Sequence, residues 1–432
     1  MKTTKLSTFR WLKISSLFLA LGIFGSNAAQ SQVKFENTYS PPGARSGDDA
    51  QGYCVQPTSD GGYIVAGSAD QVGSSNRDMI LVKTDANGVL QWTYDYSRNL
   101  STAERHEARY VIEVDDNNDG NPDGYLMVGW TSDQNADKDI FAVKVDLNGN
   151  LLWQTMLGDI YNTYEDQAFA VRQDPIDRNY VLVGGTQVQF GATLESRLLV
   201  MKISRTNGSI IWDNAYGDPN ATSTSNMTQG YSLDQWDWNR DGTPDGWVVA
   251  GWISFDLASP WEWGDDIFLI GMDFNGNPMG SYRIGVTASL NPDEITHEHG
   301  LSIIQRTTGP VLISGQYEQG GTKYPFMLSL PSDFHRNGII NWMRYYSSQE
   351  PDFHAAYCAR QEPYGIVVAT GNEIGNIEDI NQEPTPPNGT TFMFNTNSLG
   401  SVVNWGKKYL STMAPAIQSG NAYSVRVTEE VS

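Results

Sequence analysis

Two acidic loops in the sequence have the residue types and the spacing of calcium ligands. The first loop carries oxygen side chains at positions 1, 3, 5 and 9, which are Asp115, Asn117, Asp119 and Asp123. Ca²⁺ binds six to eight oxygen atoms, and a tight loop with oxygen side chains at alternate positions brings several of them to one centre. Gly120 permits the sharp turn, and the carbonyl oxygen of Asn121 is expected at position 7.

The same spacing recurs in a second loop. It carries Asp237, Asn239, Asp241 and Asp245, with the carbonyl oxygen of Thr243 at position 7. Predicted strands rather than helices flank both loops, so neither loop is a helical EF-hand. Two independent copies of one ligand spacing predict two structural Ca²⁺ sites. The alternative is that both loops are solvated Asn/Asp/Gly turns.

Histidines and carboxylates collect just before the first strand of several repeats and form a second group that can do chemistry. This group consists of His106, Glu107, Asp166, His297, Glu298, His299 and His354. If the repeats form a ring, these residues lie around one mouth of its central channel. Converging imidazoles and carboxylates bind transition metals or perform acid–base chemistry. The alternative is a ring of solvated loop residues.

The fourth repeat is rich in tryptophan, with six Trp between residues 236 and 263. Of these, Trp252, Trp261 and Trp263 lie on or beside a long insertion, and they are candidates for a ligand platform. Flat indole faces beside carboxylates are what a sugar-binding surface needs. The alternative is that these rings pack over the edge of the sheet as a local cap.

The elements that must position these residues are short strands in a repeating order. Four kinds of strand recur, and the turn D-x-N-G separates the last two, where Asn and Gly accept positive φ. The fourth-strand position of Trp92 recurs at intervals of 59 to 68 residues and holds Trp in every unit but the fourth, which has Gly280. In the first strands a large residue is expected at Tyr53, Tyr110, Phe169, Tyr231 and Leu301. Six to seven four-stranded units predict an all-β chain, a β-propeller that occupies residues 30–432 as one domain.

The two ends of the chain resemble parts of a repeat. Residues 33–40 match the fourth strand, with Phe35 in the position of Trp92, and residues 421–432 match a first strand. Strands contributed by both ends close propeller rings. The pattern therefore contains six complete blades. A seventh would lack its two middle strands, which suggests a chain truncated at Ser432.

The repeat D-I-F-x-V-K-x-D-x-N-G-N-L-L-W resembles that of the secreted bacterial β-propeller repeat family, SBBP, and related repeats in surface and type-nine-secreted bacterial proteins. The fourth strand with its Trp is similar to the tryptophan-docking repeat of PQQ-type propellers. The acidic loops are similar to the calcium loops of integrin-type blades. The resemblance covers residues 33–432 and implies a propeller scaffold with structural calcium, but hardly any particular activity.

Composition indicates an exported protein that does not bind nucleic acid. Basic residues precede a short apolar run that ends in SNAAQ, so residues 1–29 are predicted to be a secretory signal peptide. The predicted signal peptide contains four Lys and Arg, so the mature chain has 24 basic and 50 acidic residues and a net charge of −26. This charge disfavours binding to nucleic acid and to anionic membranes. The two cysteines, Cys54 and Cys358, are expected to be buried small side chains, with a bridge across the ring closure as the alternative.

These observations favour an exported, calcium-stabilised β-propeller that acts as a non-catalytic binding or adhesion module at or outside the cell surface. Its partner is expected to be a glycan or a surface protein, without membrane insertion. One alternative is a secreted polysaccharide-degrading hydrolase or lyase with an acidic site at the channel mouth. Another is a scaffold subunit of an envelope complex. A close pair of acidic groups at the mouth would favour the enzyme.

Overall fold

The computed structural model describes much of the unit Asn37–Ser432. Described are Tyr39 and residues 50–71, 76–98, 104–132, 138–158, 165–190, 193–217, 227–256, 263–285, 296–306, 309–319, 322–337, 340–345, 355–361, 367–372, 391–396 and 403–409. The predicted signal peptide, Trp261 and His354 lie outside these residues. For Trp263 and Cys358 the strand backbone alone is described.

The described chain consists of six consecutive four-stranded units. The first three are β1 (Ala50–Pro57), β2 (Tyr63–Asp70), β3 (Arg77–Thr84) and β4 (Leu90–Tyr96); β5 (Arg105–Val114), β6 (Gly124–Ser132), β7 (Lys138–Val145) and β8 (Leu151–Leu157); and β9 (Asp166–Gln173), β10 (Tyr180–Phe190), β11 (Thr193–Ile203) and β12 (Ile210–Tyr216). The last three are β13 (Thr228–Trp236), β14 (Gly246–Asp256), β15 (Trp263–Asp273) and β16 (Pro278–Ile284); β17 (Thr296–Gln305), β18 (Val311–Gln319), β19 (Thr322–Leu330) and β20 (Trp342–Tyr345); and β21 (Ala355–Gln361), β22 (Val367–Asn372), β23 (Thr391–Thr396) and β24 (Val403–Tyr409). One helical turn, α1 (Phe334–Asn337), lies between β19 and β20.

The units pack face to face as the blades of a β-propeller, which confirms the predicted fold class. Within each blade, neighbouring strands pair antiparallel in chain order. Each first strand packs on the two inner strands of the preceding blade, as β5 does on β1 and β2, and β17 on β13 and β14. The apolar cores lie between successive blades. In the described part of the chain no helix is long and apolar enough to cross a membrane.

A β-bulge in each first strand sets the register of the blade. The pairing slips by one residue after Gly52, Ala108, Gly230 and their equivalents, opposite a glycine of the second strand. A Cβ atom on that glycine would collide with the first strand; at Gly129 it would lie 1.8 Å from the carbonyl oxygen of Glu107. The glycine is therefore required for the close approach of the two backbones.

The bulge corrects the predicted register of blade two. The sequence pattern aligned Tyr110 with Tyr53, but the slip between Ala108 and Tyr110 places Arg109 in that position. The Arg109 guanidinium lies over the Tyr53 ring, 4.5 Å from its centroid. A cation stacked on the neighbouring aromatic ring thus fills the place of a large aromatic side chain.

Hydrogen bonds from fourth strands link successive blades. The Tyr96 hydroxyl donates to the carbonyl of Gly149 in the next D-x-N-G turn (2.7 Å), and Tyr216 makes the equivalent bond to Gly276 (2.6 Å). Tyr39 donates in the same way to Gly88 of blade one (2.6 Å). Tyr39 therefore occupies the position of a fourth-strand tyrosine relative to blade one, as the match of residues 33–40 to a fourth strand predicted.

Candidate functional site

The chemically interesting residues lie at two opposite ends of the blades. Hairpins that join first to second and third to fourth strands form the turn end, which carries both acidic loops. First and third strands begin at the other end, called the mouth end here. The predicted mouth residues that the structure describes, and Trp252, lie at the mouth end, because they stand where first strands begin or second strands finish.

At the mouth end of blades four and five, two histidines share one carboxylate. Asp265 Oδ2 lies 3.0 Å from His297 Nδ1 and 3.0 Å from His299 Nε2. The arrangement arises because β15 and β17 pair parallel at one position, Asp265 with His297. The side chains of Asp265 and His297 are 18% and 29% exposed, whereas that of His299 is 7% exposed.

The shared hydrogen bonds determine the ionisation state of Asp265. Burial alone raises the pKa of this carboxyl, but hydrogen bonds from His297 and His299 outweigh burial and hold the pKa of Asp265 well below its usual range. Asp265 is therefore ionised at neutral pH. Because a carboxylate only accepts hydrogen bonds, His297 Nδ1 and His299 Nε2 must both carry hydrogen.

Trp252 is held against this pair. Its ring stacks on the His299 imidazole, with centroids 5.3 Å apart and planes 22° apart. The indole N–H donates to the Tyr231 hydroxyl (3.1 Å), and that hydroxyl donates to Gln229 Oε1 (3.1 Å). Burial raises the pKa of Tyr231. We call the set Gln229, Tyr231, Trp252, Asp265, His297 and His299 the Trp252 cluster.

Trp130 occupies the same position in blade two but has different surroundings. Both tryptophans follow the glycine that faces the bulge, in the repeated segments LMVGW and VVAGW. Lys138 Nζ lies over the Trp130 ring, 4.9 Å from its centroid, and Trp130 is only 6% exposed. Trp252 is half-buried. Of the two equivalent indoles, only Trp252 therefore presents substantial surface at the mouth end.

Of the other predicted mouth residues, His106, Glu107 and Asp166 lie at other blade junctions. His106 Nε2 lies 3.1 Å from Glu104 Oε2, and burial lowers the pKa of His106 to about 4. Glu107 pairs with Arg109 (2.5 Å). These side chains belong to the seam between blades one and two, while the Trp252 cluster belongs to blades four and five. Glu298 lies beside the cluster on β17 and is fully buried.

Buried carboxylates also approach one another at two of these junctions. A Cβ atom placed on Gly158 would lie 2.6 Å from Asp139 Oδ1 and 2.8 Å from Asp166 Oδ2. The two carboxylate oxygens are therefore no farther apart than the sum of these two distances. At the preceding junction, Asp78 is 2% exposed. Burial raises the pKa of Asp78 to about 6; the charges of Asp95 and Glu104 add to this, and a hydrogen bond from Gln71 opposes it.

The first acidic loop is organised by hydrogen bonds to its own backbone. Asp123 Oδ2 accepts from the N–H of Asp116 (2.7 Å), and Asp115 Oδ2 accepts from that of Gly120 (3.0 Å). The Asn117 amide nitrogen lies 3.2 Å from Asp119 Oδ2 and 3.5 Å from Asp123 Oδ1. A group with partial positive charge thus stands between two carboxylates. The N–H of Asn121, which donates to Asp119, lowers the pKa of that carboxyl.

The second acidic loop repeats several of these hydrogen bonds. The N–H of Gly242 donates to Asp237 Oδ2 (2.9 Å), and the Asn239 amide nitrogen lies 3.1 Å from both Asp241 Oδ2 and Asp245 Oδ1. The side-chain donors in both loops are hard oxygens, the ligand type that Ca²⁺ prefers. Nowhere in the described ranges do three His, Cys, Asp or Glu side chains group closely enough to hold a metal ion. Coordination would therefore require each loop to close further and its Asn oxygen to turn inward.

The two acidic loops differ at their second residue, which contacts the next blade. In the first loop Asp116 accepts hydrogen bonds from Tyr180 (2.5 Å) and Gln173 (3.2 Å) and pairs with Lys144. In the second loop Trp238 packs edge-on against His335 of α1 in blade five, with centroids 6.0 Å apart. Each loop is thus anchored between blades, the first by charge and the second by aromatic packing.

Sequence reasoning missed Asp265, Tyr231 and Gln229 as parts of the site. A signal for Asp265 was present in the repeat, because Arg77 and Lys138 precede the corresponding aspartate in blades one and two. In blade four the residue at this position is acidic, Asp265. The first strand of the following blade, β17, carries the two histidines that contact it.

The described blades form a β-propeller module, and solved structures are similar to it in fold. A quinohemoprotein alcohol dehydrogenase from Comamonas testosteroni is 12% identical, with a TM-score of 0.41, over 81% of this chain and 60% of that chain. BamB from Moraxella catarrhalis is 10% identical, with a TM-score of 0.33, over 82% of this chain and 96% of that one. Sqt1 from Chaetomium thermophilum is 9% identical, with a TM-score of 0.40, over 83% and 87%. This chain thus spans 60% of the dehydrogenase. No protein-family model and no curated protein sequence matches the chain. These similarities concern fold, not ligand or activity.

Proposed function

We propose that this β-propeller is an exported, calcium-stabilised, non-catalytic binding module whose ligand is a glycan held at the Trp252 cluster. The observation that carries the proposal is the setting of Trp252. Its half-buried indole stands at the mouth end, stacked on His299 and fixed through its N–H by Tyr231. An aromatic face held in one orientation binds the apolar face of a sugar ring with little loss of side-chain entropy.

Polar groups beside the indole complete the chemistry that a glycan requires. Asp265 is ionised and partly exposed, so it can accept hydrogen bonds from sugar hydroxyls. His297 is also partly exposed and can donate or accept. Because Asp265 orients both imidazoles, the polar groups are fixed in place before the ligand arrives, which favours binding.

Calcium serves stability in this proposal and does not contact the ligand. The ions would be held by Asp115–Asp123 and Asp237–Asp245, both at the turn end, opposite the Trp252 cluster. Each loop is tied to the following blade, the second through Gln305, whose side chain bonds to Asp237 (2.6 and 2.7 Å). An ion that binds the folded loop alone stabilises the native protein by mass action.

Affinity gel electrophoresis tests the proposed ligand class. The mature protein is run through gels that contain hydroxyethylcellulose, arabinoxylan or laminarin, with calcium held constant. We expect at least one polysaccharide to retard the wild type, Trp252→Ala to abolish retardation, and Trp252→Phe to keep part of it. The control Tyr94→Ala removes an aromatic ring that is 44% exposed on β4 and should leave retardation unchanged.

Two outcomes contradict the proposal. One is that none of the neutral polysaccharides, nor their carboxylated counterparts, retards the wild type. The other is that Trp252→Ala retains full retardation while its melting temperature matches the wild type. A large loss of melting temperature in Trp252→Ala with intact retardation would assign the indole to packing alone.

A second candidate function, polysaccharide cleavage, is favoured by the hydrogen bond from His297 to Asp265. A carboxylate that fixes one imidazole nitrogen leaves the other suited to act as a general base. The test incubates the protein with the polysaccharides that bind and measures new reducing ends. If cleavage occurs and is lost in both Asp265→Asn and His297→Gln, the protein is an enzyme. Binding without cleavage supports the non-catalytic module.

A further inference from the structure

We infer that protonation of His297 switches the Trp252 cluster, which in its protonated state accepts glycans that carry carboxylate groups. This inference rests on the proposed glycan-binding function and adds its ligand class and its regulation. It starts from the parallel contact between β15 and β17, which places one carboxylate between two imidazoles.

The unprotonated cluster carries one negative charge. Asp265 is ionised, so both histidines must donate to it, His297 through Nδ1 and His299 through Nε2. The two neutral imidazoles are therefore in opposite tautomers. In this state an anionic ligand meets the charge of Asp265 beside Trp252, and a neutral sugar does not.

His297 is the imidazole that takes up the proton. In His299 the second nitrogen, Nδ1, is buried and has no hydrogen-bond partner among the described residues. Protonation there would create a buried donor without an acceptor, which is unfavourable. His297 is more exposed, 29% against 7%, so its charged form keeps contact with water. Histidine is also the side chain that ordinarily titrates between pH 5 and 8.

Other charges around the pair are already compensated or buried. The titratable and charged groups that face it from the described strands are Arg109, Tyr231, Asp266, Arg283, Glu298, Tyr317, Glu318, Lys323 and Tyr324. Asp266 pairs with Arg283, and Glu318 pairs with Lys323 (3.5 Å). Burial raises the pKa of Tyr231 and of Tyr317, so neither phenol titrates near neutrality. The local change of charge therefore falls on His297.

Protonation changes what the cluster can bind. The net charge of Asp265, His297 and His299 goes from −1 to zero, and His297 becomes a charged hydrogen-bond donor close to Trp252. A ligand carboxylate then gains an ionic partner instead of meeting an uncompensated anion. For partly exposed charges about 5 Å apart at moderate salt, replacing the repulsion by an ionic contact changes the affinity for the carboxylated ligand about tenfold.

Nuclear magnetic resonance of the imidazoles tests the switch without a ligand. The chain has five histidines, so the ring nitrogens can be assigned by substitution. At pH 8 we expect the Nδ1–H tautomer for His297 and the Nε2–H tautomer for His299. As the pH falls to 5.5, the added proton should appear on the His297 ring. Titration of His299 with a neutral His297 would overturn the inference.

Binding to matched polysaccharides tests the ligand class. The pairs are carboxymethylcellulose with hydroxyethylcellulose and glucuronoxylan with arabinoxylan, each measured at pH 8 and pH 5.5 with constant calcium. We expect acidification to tighten binding of the carboxylated member about tenfold and to leave the neutral member unchanged. His297→Gln should remove the difference. The control His335→Gln, a half-buried histidine on α1 at the turn end, should respond as the wild type does.

The results separate this inference from the proposed function. Binding that depends on Trp252 but does not respond to pH refutes the switch and leaves the binding module intact. A pH response that persists in His297→Gln refutes it as well, because the response then comes from the net charge of the whole protein. Absence of binding to every polysaccharide at both pH values refutes the proposed function, and the switch of ligand class with it.

Discussion

Replacement of Asp78 by Asn should stabilise the protein at neutral pH. Asp78 is 2% exposed and accepts one hydrogen bond, from Gln71 (2.5 Å). Burial raises its pKa from 3.8 to about 6, and the charges of Asp95 and Glu104 add to this effect. The folded protein therefore holds a proton on this carboxyl more tightly than the unfolded chain does. Ionisation of the buried group costs stability at neutral pH.

The magnitude follows from the pKa shift. A shift of about two pKa units corresponds to about 3 kcal/mol. Because the folded-state pKa is raised, the contribution of Asp78 is fully present below about pH 4 and is lost as pH rises through 6. Asn is isosteric, keeps an acceptor for Gln71 and is never charged. Asp78→Asn should thus match the wild type near pH 4 and exceed it by up to about 3 kcal/mol at pH 7.5.

Urea denaturation at several pH values measures this difference, with chain refolding checked by return of the native signal. Asp213→Asn, an exposed aspartate on the fourth strand of blade three, serves as the control and should change stability little at any pH. The reasoning about Asp78 is refuted if Asp78→Asn is destabilised at pH 7.5. A stabilisation of equal size at pH 4 and pH 7.5 would refute it too, since the gain would not then come from ionisation.

Two further predictions concern the turn end and the bulge. Chelation should lower the melting temperature and added calcium should restore it, with each site contributing about 2.7 kcal/mol at free calcium about 100 times the dissociation constant. Asp119→Ala should remove roughly half of the calcium-dependent shift, and the double variant with Asp241→Ala should remove all of it. If chelation leaves the wild-type melting curve unmoved and calorimetry finds no bound calcium, the loops are simple turns. Gly129→Ala places a Cβ 1.8 Å from the Glu107 carbonyl oxygen and should cost about 3 kcal/mol in a melting experiment, while a neutral effect would mean that the bulge does not depend on this close approach.

The repeat architecture could be predicted from the sequence because its signals are local. Strand periodicity and the Trp or Tyr of each fourth strand act within one hairpin or between adjacent blades and recur along the chain, and D-x-N-G turns occur in blades one, two and four. Residues 33–40 match a fourth strand in sequence, and Tyr39 makes to blade one the hydrogen bond that a fourth-strand tyrosine makes to the next blade. The two acidic loops have equal spacing in the sequence and share hydrogen bonds in the structure.

The candidate site could be predicted only in part, because its contacts join strands that are distant in sequence. His297, His299 and Trp252 were selected from composition and position, but no sequence pattern joined Trp252 to the two histidines. Their meeting depends on Asp265, which pairs with both histidines across a parallel contact more than thirty residues away. The register of blade two also escaped prediction, since Arg109 and Tyr110 both satisfy the pattern of a large residue.

The sequence by itself determined the strands, the turns and the ligand types in the loops, since these depend on backbone preferences and on side chains a few residues apart. Only the tertiary structure decided which of two equivalent tryptophans presents surface. Trp130 and Trp252 occupy the same position in their blades, but Lys138 covers one ring and His299 supports the other. The covering side chain comes from the adjacent strand and the supporting one from the next blade. Exposure is thus a property of the assembled blades, which no local pattern encodes.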